Sequence, residues 1–277
     1  MAAGGQIADA GRSHRHLLVP RRGFLVSDLS GRLKVLSHSG EVIRRVPRSV
    51  GRYGAQGIAL AADRRHAFVS ILRGDRPPHL YRVSLATGER RLITNGISPA
   101  LSPHRTRLAY VSVVRRQDIH YKAAVVVRNL RTDRKRRISL GSDIPLGTPP
   151  DNIINWSPTG RRIAFYDETR IRLIRLDRPR HPISKPVAPR YWNAPAFLDA
   201  RTFVALANCC VGTHQRLVAI DRRTGRHHLF ATLRAPPENL VRLRRGHLLA
   251  VNALHRLSVV SHRQVRPVAE GVTAATR

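Results

Sequence analysis

Ile154-Asn155-Trp156-Ser157-Pro158-Thr159-Gly160-Arg161-Arg162-Ile163-Ala164-Phe165 is the stretch whose reading decides the fold. A short apolar run ends at Trp156, Ser157-Pro158-Thr159-Gly160 turns the chain, and a second apolar run follows through Phe165. Serine, proline and glycine at those places favour a tight turn between two strands. Upstream, Pro99-Ala100-Leu101-Ser102-Pro103-His104-Arg105-Thr106-Arg107-Leu108-Ala109-Tyr110 repeats the pattern. Six copies follow one another with a period of roughly 45 residues and about four short strands in each. That spacing predicts an all-β fold, a six-bladed β-propeller of four-stranded antiparallel blades.

Let the strands of a blade be a to d from the central channel outward. Blade one then lacks an innermost strand, because Met1–Gly11 is small and polar. The other end of the chain supplies the complement. Gly271-Val272-Thr273-Ala274-Ala275-Thr276 resembles Gly96-Ile97-Ser98-Pro99-Ala100, and it falls where the next a strand would begin. Val272–Thr276 is therefore expected to pair with the strand near Gly23–Ser27 and to latch the ring, which removes an open sheet edge. Residues 1–16 read as a disordered tail and residues 17–277 as one propeller domain. Blade four should have only a weak d strand, near His181–Ser184.

The Trp-Ser-Pro-x-Gly-x-x-Ile-Ala-Phe string and the Thr-Gly turns at Thr87-Gly88 and Thr224-Gly225 resemble the TolB-like six-bladed propeller repeat. The resemblance runs from about residue 17 to the end and is closest in blades three and four. Where that repeat has an aspartate after Ser-Pro, this chain has His104 in one copy and Thr159 in the other. The family's namesake also carries an N-terminal α/β domain, for which this sequence has no room. The resemblance implies the propeller alone.

Composition bounds the partners. The formal net charge is +33, from 50 Lys and Arg against 17 Asp and Glu. Lys34, Lys122, Lys135 and Lys185 are the only lysines, so arginine dominates. Coding bias accounts for the choice of arginine over lysine but not for the scarcity of acids. So large a positive field attracts anionic polymers, nucleic acid, cell-surface polyanions or acidic proteins, with strong salt dependence. No stretch is apolar enough to be a membrane-spanning helix, and Met1–His16 has no apolar signal core. The default compartment is the cytoplasm, with an extracytoplasmic one implied if the true start lies upstream. Cys209 and Cys210 are adjacent and read as two reduced thiols, a strained vicinal disulfide being the alternative.

Two candidate surfaces follow from the repeat. The a–b and c–d turns share one end of the ring and carry Arg131, Arg134, Lys135, Arg136, Arg161, Arg162, Arg222, Arg223 and Arg226. These are candidates for polyanion binding, and equally for charges that keep the outer strands from aggregating. The b–c and d–a loops at the other end include three longer stretches, Arg115–Lys122, Gly147–Asn152 and Arg190–Asn193. They offer His120, Tyr121, Asp151, Asn152, Tyr191, Trp192, Asn193 and Glu238 around the channel mouth. Tyr191 and Trp192 could stack on a ring, or Trp192 could plug the channel. No nucleophile elbow, zinc-protease helix or phosphate loop occurs. The expected function is a monomeric, non-catalytic scaffold for a protein or an anionic polymer, with no cofactor. The alternative is a calcium-dependent hydrolase or lactonase in which Asp151, Asn152, Asn193 and Glu238 hold the ion.

Overall fold

The structure is a computed structural model, and it describes residues 19–51, 55–73, 76–117, 120–145, 153–166, 170–178, 183, 188–189, 191–207, 214–243 and 246–277. These residues form six four-stranded antiparallel sheets and no helix. Blade one holds β1 (Phe24–Asp28), β2 (Arg32–Leu36) and β3 (Val42–Ser49). Blade two holds β4 (Gly57–Leu60), β5 (His66–Arg73), β6 (Arg76–Ser84) and β7 (Arg90–Asn95). Blade three holds β8 (Ile97–Leu101), β9 (Arg107–Gln117), β10 (His120–Asn129) and β11 (Lys135–Pro145). Blade four holds β12 (Ile154–Trp156), β13 (Arg162–Tyr166), β14 (Arg170–Arg175) and β15 (Ala188–Pro189). Blade five holds β16 (Tyr191–Phe197), β17 (Thr202–Ala207), β18 (Gln215–Asp221) and β19 (His227–Leu233). Blade six holds β20 (Pro237–Arg242), β21 (Leu248–Asn252), β22 (Leu257–Ser261) and β23 (Gln264–Ala269), and β24 (Val272–Thr276) follows.

The latch forms as expected. β24 is the innermost strand of blade one, with Thr276 opposite Leu25, Ala275 opposite Val26 and Ala274 opposite Ser27. All five of its residues are buried. Thr273 Oγ1 donates to the Ser27 carbonyl, while Ser27 Oγ accepts the Ala55 amide of the next blade. One short segment thus ties both chain ends to blade two.

Each blade buries both of its faces, which is why the inner strands read as near-continuous apolar runs rather than strict alternations. In β1, Leu25 faces blade two while Phe24 and Val26 face blade six. In β4, Ile58 and Leu60 face blade one while Ala59 faces blade three. The core is accordingly divided into six clusters, one between each pair of neighbouring blades. Outer strands contribute less, with Val46 of β3, Ile138 and Leu140 of β11 and Phe230 and Leu233 of β19 among their buried residues. β3 and β23 are mostly exposed and carry Arg44, Arg45 and Arg266.

Two details differ from the sequence reading, and the outer strand of blade four is weak as expected. The Arg115–Lys122 stretch is not a simple loop: β9 continues to Gln117 and β10 starts at His120, with Tyr121 opposite Arg116. Tyr191 and Trp192 likewise extend the inner strand β16 and pair with Ala207 and Leu206. Blade four's outer strand is reduced to an isolated bridge between Ile174 and Ile183 and the two-residue β15. Pro179, Pro182, Pro186 and Pro189 crowd that segment, and proline cannot donate to a ladder. Cys209 and Cys210 lie outside the described residues.

Candidate functional site

The a–b and c–d turns do share one end of the ring, and a repeated hydrogen bond shows it. The amides of Leu85, Leu130, Leu176 and Arg222, each opening a c–d turn, donate to the carbonyls of Arg65, Thr106, Arg161 and Arg201 in the a–b turns, at 2.8 to 3.0 Å. Acidic and amide side chains stabilise these turns from within. Asp221 Oδ1 accepts the amides of Arg223 and Thr224, and Asn129 Oδ1 those of Arg131 and Thr132. Asp199 and Asp63 do the same in the a–b turns of blades five and two. The backbone amides of Thr224 and Arg223, in that order of effect, hold the Asp221 carboxyl below its ordinary range.

Most of the sequence-predicted cations of this end are exposed. Arg131, Arg134, Lys135, Arg161, Arg223 and Arg226 face solvent, while Arg136, Arg162 and Arg222 are half-buried. The turns of successive blades lie side by side. Arg136 Nη1 donates to the Leu176 carbonyl of blade four at 3.1 Å. Arg162 is held below the ordinary arginine value by burial first and then by the neighbouring charge of Arg222 in blade five. Asp63, Asp133, Asp177, Asp199 and Asp221 are interleaved with these cations, so the rim is less one-sided than the cations alone suggest.

At the centre of the same end lies a feature that the sequence reading did not assemble. A basin of about 870 Å³ opens where the inner strands finish. Its walls are apolar, with Ile58, Leu60, Leu101, Val241 and Leu243 among them, and its charged lining consists of Arg21, Arg22, Arg64, Arg105, Arg242 and Arg277. No acidic side chain lines it among the described residues. Asn155, also in the lining, draws the inner strands together by donating to the carbonyls of Pro195 at 2.7 Å and Leu240 at 3.2 Å.

The arginines are anchored by carbonyl oxygens. Arg105 donates to the carbonyls of Leu60 and Ala61 in blade two and to the main-chain oxygen of Arg277 at 2.8 Å. Arg64 donates to the carbonyls of Val19 and Pro20, and Arg242 to that of Leu198 at 3.0 Å. Each of these bonds joins neighbouring blades except that to Arg277, which reaches from blade three to the end of β24 in blade one. Arg64 and Arg105 also hold the left-handed conformation, with φ of 52° and 54°, where blade four has Gly160 at 66°. A non-glycine residue there costs about 1 to 2 kcal/mol. At Gly160 an added Cβ would sit 3.2 Å from Arg107 Nη2, which already donates to the Gly160 carbonyl at 2.7 Å, while Arg107 Cζ lies 4.9 Å from the centroid of the Trp156 ring. Arg64 is held below the ordinary arginine value by burial and then by the charges of Arg105, Arg277 and Arg21. Burial and then Arg277 do the same to Arg105.

Of the residues expected at the opposite mouth, Asp151 and Asn152 lie outside the described residues. His120 and Tyr121 are on β10, and Tyr191, Trp192 and Asn193 on β16. Glu238, at the start of β20, is half-buried. Burial raises its carboxyl above the usual range and His255 opposes that shift. The basin's residues could have been suspected from Arg64 and Arg105, which hold the same place in successive a–b turns. Nothing in the local sequence singles out Arg21, Arg22, Arg242 or Arg277.

This architecture is that of a six-bladed β-propeller, and solved TolB structures are similar to it in fold. TolB from Acinetobacter baumannii superposes with a TM-score of 0.60 at 17% identity, over 91% of this chain and 65% of that one. The chain thus spans somewhat under two thirds of that protein's length. A putative TolB from Agrobacterium tumefaciens matches with a TM-score of 0.56 at 15% identity, over 76% of this chain and 81% of that one. An oligogalacturonate lyase in complex with manganese matches with a TM-score of 0.55 at 14% identity, over 86% of this chain and 70% of that one. No family model matches the chain, and no curated protein matches it in sequence.

Proposed function

We propose that this propeller is a non-catalytic binding scaffold that takes an anionic polymer on the end carrying its a–b and c–d turns. The observation behind this reading is the row of exposed cations, Arg131, Arg134, Arg161, Arg223 and Arg226, on adjoining turns of three successive blades. Charges set within about a Debye length of one another, some 8 Å at physiological salt, sum into one field. No helix is present among the described residues to read a nucleic-acid groove, so binding is expected to depend on salt and little on sequence. The hydrolase reading rests on Asp151, Asn152, Asn193 and Glu238, and the charged neighbour that perturbs Glu238 is His255.

Heparin and nucleic-acid retention test the scaffold reading. Reversal of Arg131, Arg134, Arg161 and Arg223 to Glu should abolish retention at 150 mM salt. Reversal of Arg44, Arg45, Arg91 and Arg137, exposed on outer strands, should leave most of it. Equal losses from both sets would mean that net charge alone binds, and the dedicated face would be withdrawn.

A further inference from the structure

We infer that the axial basin is a binding site for a compact, phosphate-rich anion, such as an oligophosphate or a multiply phosphorylated metabolite. The inference concerns the same end of the ring as the scaffold reading but a different set of residues.

The basin is built, not merely charged. Its floor and walls come from inner strands of five blades, and its volume of about 870 Å³ suits a metabolite-sized ligand. Arg64 and Arg105 are fixed in place by carbonyls of the neighbouring blade, so their positions are set before any ligand arrives. Both keep a backbone conformation that glycine adopts more cheaply, which marks the side chain as the reason for the residue. Arg242 commits its Nε to Leu198, and both of its terminal nitrogens remain for a ligand. Arg21 and Arg22 are exposed at the rim.

The charge is what remains unmatched. A carbonyl oxygen accepts a guanidinium hydrogen bond but carries no net charge. Among the described residues no Asp or Glu side chain pairs with Arg21, Arg22, Arg64, Arg105 or Arg242. A full negative charge on the main chain at Arg277 would offset only one of these five charges. Like-charged guanidiniums repel one another, and the partly buried pair Arg64 and Arg105 feels this most because burial weakens the screening by water. A single carboxylate would relieve one charge. An oligophosphate brings roughly one charge per phosphate in a small volume, with oxygens spaced for the guanidinium fork.

The test is isothermal titration of the full chain with sodium tripolyphosphate at 150 mM NaCl, with citrate as the carboxylate comparison. One saturable site is expected, with tripolyphosphate bound more tightly than citrate. Arg21→Gln, Arg22→Gln and Arg242→Gln should each weaken it by about tenfold or more, the loss of a charge-assisted hydrogen bond. Arg21 and Arg22 make no side-chain hydrogen bond among the described residues, so those two variants should melt as the parent does. Non-saturable binding, or three variants that bind like the parent, would overturn the site; tighter citrate would overturn the phosphate assignment. The quadruple reversal of Arg131, Arg134, Arg161 and Arg223 should leave tripolyphosphate affinity within about threefold. Loss of heparin retention and loss of tripolyphosphate binding therefore report on separate readings.

Discussion

Two polar clusters at opposite ends of this ring are satisfied by different means, although ion pairs such as Arg128–Asp133 and Arg175–Asp177 also lie on the turns around the second. At the b–c turn of blade one, where its inner strand begins, charge meets charge. Asp28 Oδ1 accepts the amides of Ser30 and Arg32 and the Ser30 hydroxyl, and Lys34 sits 2.6 Å from its other oxygen. Burial raises the Asp28 carboxyl, but these partners, Lys34 foremost, outweigh it and leave the group below its ordinary value. Where the inner strands finish, arginine meets carbonyl. Arg64, Arg105 and Arg242 have their hydrogen bonds but not their countercharges. A hydrogen bond can be complete while the electrostatics stay open, and only the second end is left with something for an anion to do.

The largest effect should come from removing the strand that belongs to both ends. Deletion of Val272–Arg277 strips blade one of β24 and the basin of Arg277. It exposes Val26 and its partners in blade six, and Leu25 on the side facing blade two. The loss is expected to be about 5 kcal/mol, equivalent to a fall in melting temperature of about 10 to 20 °C for a domain of this size. Thermal unfolding followed by circular dichroism, with light scattering for aggregation, checks it. An unchanged melt would mean that the ring does not depend on its latch.

Next come the arginine stitches. Arg105→Ala leaves three carbonyl contacts unmade and keeps the left-handed backbone, so a loss of about 2 kcal/mol is expected. Arg105→Gly loses the same bonds but relieves the conformation, and should recover about 1 kcal/mol of that. Urea denaturation of both variants separates the two contributions. A stabilised Arg105→Ala would show that repulsion from Arg277 outweighs the stitch, which would sharpen the contrast between the ends rather than remove it. In either case, added salt should stabilise the parent protein more than either variant, because it screens the repulsion that the substitution deletes.

The fold was legible in the sequence because its rules are local. Turn chemistry at Ser157-Pro158-Thr159-Gly160 recurs at a fixed period, and the apolar runs between turns give the strands. The latch was legible because one blade lacked a strand that the C-terminus could supply. Blade four's outer edge was legible only as weak, since its prolines veto a ladder without saying what replaces it. The basin is different in kind. Arg21, Arg64, Arg105, Arg242 and Arg277 are spread over nearly the whole chain and meet only because six inner strands end around one axis. The sequence pattern places each arginine near a turn, but whether a guanidinium points outward to solvent or inward to the axis depends on the neighbouring blade's carbonyls. The same reasoning explains why the cations of the rim looked more one-sided from sequence than they are. Aspartates that cap turns, such as Asp199 and Asp221, sit beside them in the fold.

The smallest expected effect lies at the opposite end, at Glu238. Its folded carboxyl titrates above the ordinary glutamate value because burial disfavours its charge, with His255 pulling the other way. A raised value means that the folded state holds its proton more tightly than the unfolded chain. Its contribution to stability is therefore fully present below the unfolded value of 4.5 and is lost as pH rises through the folded value. Above its folded value the parent protein carries a partly buried ionised carboxylate. Glu238→Gln removes that charge and should stabilise the fold by about 0.5 kcal/mol, a small figure because the group remains partly screened by solvent. The gain should shrink as pH falls and vanish near pH 4, where the parent's own carboxyl is protonated. Melting temperatures of the two proteins between pH 4 and 8 give the comparison directly. A variant less stable than the parent at pH 7 would mean that the attraction between Glu238 and His255 exceeds the cost of burial. Glu238 and His255 would then be a matched pair, in contrast to the basin arginines, which meet only carbonyl oxygens.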